Sequence, residues 1–151
     1  MRYLALILGI FGLEYRLKNK IEESVPEGKE QFILKRTLVL RRYHNTGAFL
    51  DAGHDRPGAV LILSVLLTAI LTVIFVLSLG TAGTKTLKWG LSFLLGGAYS
   101  NTYDRLARKY VVDYVSLNLP VKWLRRIVFN MEDLCIMQGA LLCVAGYYLN
   151  G

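Results

Sequence analysis

Four carboxylates, Glu14, Asp104, Asp113 and Asp133, and three carboxamides, Asn45, Asn101 and Asn130, stand in or beside the ends of apolar segments that are far apart in this sequence. An ionisable group inside or at the edge of an apolar span is costly to keep and is therefore a functional candidate. Two carboxylates brought within a few ångströms of each other share a proton and titrate as a pair. One member can then take a proton from water while the other donates to a carbonyl oxygen, which hydrolyses an amide without a Ser, Cys or metal nucleophile. The alternative is that each Asp pairs with a neighbouring Arg or Lys and holds a helix end. On these residues alone both remain open.

Other chemistries lack their residues. The sequence contains no HExxH, GxSxG, Walker A or dinucleotide-binding glycine pattern, and His44 and His54 sit in a loop without ligand spacing, so neither a metal nor an organic cofactor is expected. Cys135 and Cys143 lie eight residues apart in one apolar run, about 12 Å along a helix, which is too far for a mutual disulfide. Gly96-Gly97 reads as a close helix contact rather than a phosphate cradle.

The elements that must position the carboxylates follow from hydropathy. Of the 151 residues, 54% are hydrophobic and 19% charged, and the net charge is +7. A composition this apolar excludes intrinsic disorder and does not suit an ordinary soluble domain. The basic balance accompanies long uncharged runs, which points to a membrane surface and not to nucleic acid. Ala59–Leu79 is uncharged over about 31 Å as a helix, the thickness of the hydrocarbon core. Leu134–Gly151 and Trp89–Tyr103 are shorter uncharged stretches, and Tyr3–Leu13 precedes Glu14 without a cleavage pattern, so it reads as a retained helix in which Arg16 and Lys18 snorkel.

The expectation is a mainly α membrane protein. It has a single four-span domain, with spans at about 2–18, 58–80, 87–105 and 128–149 and a loop-side β platform at about 26–55. The platform rests on Gln31–Tyr43, rich in β-branched and large apolar residues, which predicts one or two short strands ending at a turn at His44-Asn45-Thr46-Gly47. Val121, Trp123 and Leu124 among Lys122, Arg125 and Arg126 predict an interfacial segment. Four spans place both termini on one side and the acidic residues at the other membrane face.

Read in order, the motifs are Asn45-Thr46-Gly47-Ala48-Phe49, then Gly96-Gly97-Ala98 with Asn101-x-x-Asp104-Arg105, then Val111-Val112-Asp113-Tyr114, then Phe129-Asn130-x-x-Asp133. In order and spacing they resemble the lipoprotein signal peptidases (signal peptidase II) over essentially the whole chain. The resemblance implies an intramembrane aspartic endopeptidase that cuts the signal peptide from a prolipoprotein before a cysteine carrying a diacylglyceryl group. It implies Asp113 and Asp133 as the catalytic dyad. Asn45, Gly47, Asn101, Asp104, Arg105, Asn130, Glu14 and Lys18 match the surrounding polar shell. It further implies the bacterial cytoplasmic (inner) membrane, with cytoplasmic termini and the site at the outer leaflet. No cofactor is implied; the partners are the lipidated precursor and membrane lipids, the state monomeric, and the inhibitors cyclic peptides of the globomycin type.

The departures fit a divergent member or a paralogue. The family's Asp-x-x-(Ser/Thr)-Lys stands here as Glu14-x-x-Leu17-Lys18, a spacing that lets acid and amine pair. Ser100 replaces a glycine, Glu132 replaces an alanine, and the second motif lacks one alanine. If Glu132 points inward it raises the dyad's affinity for protons; one residue apart on a helix is about 100°, so it could also face headgroups or a basic partner. Only Arg2, Lys85 and Lys88 of the 18 Lys and Arg lie on the side of the termini, opposite to the positive-inside rule for the orientation that the resemblance implies. Two further functions are carried as alternatives: a non-catalytic paralogue that binds lipoprotein precursors, and a small transporter or channel subunit.

Overall fold

The computed structural model describes residues 1–48, 51–82 and 84–150. Helix α1 (Arg2–Ser24) leads to strands β1 (Gln31–Ile33) and β2 (Leu38–Asn45), helices α2 (Pro57–Leu79) and α3 (Lys85–Ala107), strand β3 (Val111–Leu117), the short helix α4 (Lys122–Arg126) and helix α5 (Met131–Asn150). The architecture is thus mainly helical, with one antiparallel sheet in the order β1-β2-β3. Helix α3 is central, packing against α1, α2 and α5. Among the described residues only α2 is by itself long and apolar enough to cross a membrane, and its large side chains, from Ile62 to Leu79, are mostly exposed.

Several elements depart from the sequence expectation. Helix α1 continues past Lys18 to Ser24, because Ile21 and Val25 still have a surface to bury, against Val112 and Tyr114 of β3. The expected turn at His44-Asn45 is the end of β2 instead. Val111–Leu117 is the sheet's third strand, so the sheet draws on both loop-side segments rather than on Gln31–Tyr43 alone. The segment expected at the interface is α4, with Trp123 exposed. Phe49, in the first motif, lies outside the described residues. Both cysteines are free.

Glycines set the closest helix contact. A Cβ on Gly90 would stand 2.8 Å from the Cys143 backbone nitrogen, one on Gly139 2.6 Å from that of Leu94, and one on Gly97 2.9 Å from the Glu132 carbonyl oxygen. Backbone atoms cannot swing aside, so α3 and α5 approach this closely only through glycine. Gly96 does the same towards α1, its missing Cβ replaced by Ile10 at 2.8 Å. The Gly96-Gly97 pair is therefore a packing device between three helices. Gly139→Ala is expected to lower stability, since overpacking of about 1–3 kcal/mol exceeds the roughly 1 kcal/mol of helix preference gained. Gly9→Ala, with nothing within 4 Å of the new Cβ, is expected to raise it. Unfolding midpoints in detergent check the contrast, and equal shifts of one sign would contradict it.

Candidate active site

Strand alternation delivers Asp113. Val112 and Tyr114 pack on α1, while Val111 and Asp113 face a cavity on the opposite side. The register between β2 and β3 slips by one residue between Leu40 and Tyr43, a β-bulge at Arg41 and Arg42. Before the bulge Leu40 opposes Val115; after it Tyr43 opposes Asp113 and Asn45 opposes Val111. Because one extra residue reverses which side chains share a face, the bulge moves Asn45 from the α1 face to that of Asp113. It also puts His44 on the α1 face, where it stacks on Tyr110 and contacts Glu22.

Asn130 brings in the second carboxylate. Its Oδ1 accepts from the Asp133 backbone N–H at 2.9 Å, and Asp133 Oδ2 accepts from the Asn130 N–H at 3.2 Å. This is a capping box that starts α5, with Asn at the cap and Asp in place of the more common Glu. The same carboxamide donates from Nδ2 to Asp113 Oδ1 at 2.8 Å. One side chain thus starts the helix that carries Asp133 and binds Asp113.

Asn45 Nδ2 donates to the other oxygen, Asp113 Oδ2, at 2.9 Å, while its Oδ1 accepts from the Gly47 N–H at 2.9 Å. Gly47 is required by crowding: a Cβ there would stand 2.5 Å from the Asp51 carbonyl carbon. The Gly47 carbonyl accepts from Arg105 Nη2 at 2.8 Å. Asn101 Oδ1 accepts from Asn130 Nδ2 at 3.5 Å, and Asn101 is also in reach of Asp133. Asp113 is buried, and burial pushes its carboxyl up to about 7; the Asn45 donor opposes the shift, the charge of Asp133 adds to it, and Lys18 and Asn130 oppose it. Asn45, Asn101, Arg105, Asp113, Asn130 and Asp133 all line one cavity of about 430 Å³. Its apolar lining is formed by Leu67 and Leu71 of α2, Leu94 of α3 and Ile136 and Met137 of α5.

Glu14, Lys18 and Asp104 do not line this cavity; they form a buried layer behind it. The expected pair of Glu14 with Lys18 gives way to other partners. Lys18 Nζ donates to Asp104 Oδ2 at 2.7 Å and to Glu132 Oε2 at 2.6 Å, so the extra carboxylate at 132 points inward, onto a cation. Asp104 also accepts from Arg108 Nε at 2.9 Å and from the Val112 N–H at 3.3 Å. Glu14 Oε1 accepts from the Tyr114 hydroxyl at 2.9 Å, and that hydroxyl accepts from the Met131 N–H at 3.1 Å. Burial, with the Glu14 charge next, raises the Tyr114 hydroxyl far above the usual phenol range, so it stays a donor. Sequence reading missed Tyr114, whose hydroxyl gave no signal beyond an aromatic after Asp113, and Arg108, although its i+4 spacing from Asp104 is visible.

A solved structure titled as a bacterial membrane enzyme, determined by the in meso method at 2.3 Å, superposes with a TM-score of 0.81 at 17% identity, covering 97% of this chain and 87% of that one. The fold is therefore that of a bacterial membrane enzyme. Among curated sequences, lipoprotein signal peptidases match at 26% identity from Clostridium tetani, covering 95% of this chain and 90% of that one, and at 32% from Brucella ovis, covering 91% and 83%. A third, from Halothermothrix orenii, is 31% identical, covering 84% and 77%. The family model described as signal peptidase (SPase) II matches residues 6–149. With that match running from α1 almost to the end of α5, the chain belongs to the signal peptidase II family.

Proposed function

We propose that this protein is an aspartic endopeptidase that cleaves the signal peptide from diacylglyceryl-modified prolipoproteins, with Asp113 and Asp133 as its dyad. The observation that carries the reading is that two carboxylates from separate elements face one cavity whose other wall is apolar. Helices α2 and α5 both pack on α3, and the cavity lies between them. The peptide bond would meet the polar end while acyl chains and the signal helix lie along Leu67, Leu71, Ile136 and Met137.

In this mechanism a water molecule sits between the carboxylates. Asp133 takes its proton as the oxygen attacks the carbonyl carbon, and Asp113, which carries the pair's shared proton, gives it to the carbonyl oxygen. Collapse of the tetrahedral intermediate returns that hydroxyl proton to Asp113. Asp133 protonates the departing nitrogen as the C–N bond breaks, and the dyad is restored with one proton. Asn45 and Asn130 hold Asp113 in place, and Arg105 braces the loop at Gly47. Because the Asp113 carboxyl stands near 7 rather than 3.8, its proton persists through mildly acidic conditions and is lost as pH rises. The kcat/KM profile is therefore expected to carry a descending limb near pH 7; a profile flat to pH 9 would contradict this role.

The same reading makes α1, α2, α3 and α5 the four spans of one domain, with the sheet and α4 at the outer face of the bacterial inner membrane and the termini in the cytoplasm. The protein acts as a monomer, without a cofactor, and cyclic peptides of the globomycin type would compete for the cavity. The test is a gel-shift assay of the purified protein in liposomes with a diacylglyceryl-modified prolipoprotein. Cleavage before the lipidated cysteine supports the reading; a folded protein that binds the precursor and never cuts it makes the chain a binding paralogue. A C-terminal reporter that reads extracytoplasmic would reverse the orientation.

A further inference from the structure

Glu132 and Lys18 do not line the cavity, yet they tie together the chain segments on which the two aspartates sit. Lys18 stands in α1, fully buried, and its ammonium binds one carboxylate from α3 and one from α5. Each leads directly to an aspartate. Asp104 accepts the backbone N–H of Val112, the residue before Asp113. Glu132 is the residue before Asp133 and is itself fully buried. One cation therefore fixes both backbones from behind. Within the ion-paired set Arg108 and Lys18 face Asp104 and Glu132, and Glu14 is a further buried acid in the same layer.

We propose that Glu132 is a positioning residue for the dyad, acting through Lys18 to set the separation of Asp113 and Asp133 and to cancel the Lys18 charge behind them. The proposal rests on the peptidase reading for its kinetic part only. Among the described residues, the charged or titratable groups around the dyad and Glu132 include Glu14 and Lys18 from α1, Tyr43 from β2, Asp104 and Arg105 from α3 with Arg108 just after it, Tyr114 from β3 and Cys135 from α5. Among the acids facing Lys18, Glu132 and Asp104 are the two in direct contact with it. Removing the charge of Glu132 makes the layer behind the dyad more positive by one charge, which favours the ionised carboxylates and moves the loss of their shared proton to lower pH.

The test compares Glu132→Gln with Glu132→Asp in the full-length protein in liposomes. For the Gln variant the expected result is a kcat lowered about tenfold or more with KM little changed, and a descending limb moved down by about one pH unit. The Asp variant, which keeps the charge, is expected to hold the limb at its wild-type position. In parallel, infrared titration of protein labelled with carboxyl-13C aspartate, with Asp113→Asn identifying the band, follows the Asp113 proton without any substrate. A limb and band unmoved in Glu132→Gln overturn the proposal, as does an equal loss of kcat in both variants with the wild-type profile kept. If the folded wild type never cleaves, the peptidase reading fails alone, and the infrared band still decides the role of Glu132.

Discussion

Asp113→Asn is expected to lower kcat by about 10³-fold or more while leaving the fold intact, because it removes the group that holds and returns the shared proton. The local geometry limits the structural cost to one hydrogen bond. Asp113 receives hydrogen bonds from the carboxamides of Asn45 and Asn130, one on each oxygen. An Asn there keeps one of these two acceptors and sets its amide group against the other carboxamide donor, so one hydrogen bond is lost, while Asn45 still accepts from the Gly47 N–H and Asn130 still caps α5. Asp133→Asn is expected to match it in kcat through loss of the base. It should also lose some helix stability, since Asp133 Oδ2 accepts the Asn130 N–H, although an Asn side-chain oxygen can still take that bond. Gel-shift rates with a lipidated precursor, together with circular dichroism and unfolding midpoints, separate the two effects. Normal cleavage by either variant would remove that residue from the dyad.

How much of this was legible in the sequence depends on whether the signal was local. The Asn130-x-x-Asp133 spacing was visible as a motif near the start of the last span, whereas the capping box it forms is seen only in the folded helix. Helix α2 announces itself by uninterrupted hydropathy. The glycine pair of α3 was visible as a packing signal at Gly96-Gly97, but its partners, Glu132, Ile136 and Ile10, are tertiary facts, and Gly139 of α5 gave no such reading. Strand β3 was missed because Val111–Leu117 reads as a short connection until the sheet supplies a partner from a segment some 70 residues earlier. The bulge at Arg41 and Arg42 leaves no mark in composition, and yet it turns Asn45 towards Asp113. Lys18 was assigned to Glu14 on i,i+4 spacing; two buried acids from other helices outcompete that neighbour once the chain is packed.

Lys18→Met is expected to be strongly destabilising. Its ammonium is fully buried between Asp104 and Glu132, themselves 2% and 0% exposed. Removing one partner of a buried ion pair costs about 3–5 kcal/mol, since the remaining charge is left desolvated without compensation. The loss falls unequally on the two acids. Asp104 keeps Arg108 and the Val112 N–H, whereas Glu132 loses the one cation within ion-pair distance of it among the described residues. The penalty therefore belongs to Glu132, and removing its charge as well should relieve most of it: Lys18→Met with Glu132→Gln is expected to be more stable than Lys18→Met alone. That recovery separates a buried-charge penalty from simple loss of packing, which a second substitution would deepen. Denaturant unfolding in detergent micelles reads both variants. A single-variant loss under about 1 kcal/mol would mean that water reaches the site, and a double variant no better than the single would locate the cost in the methionine's packing.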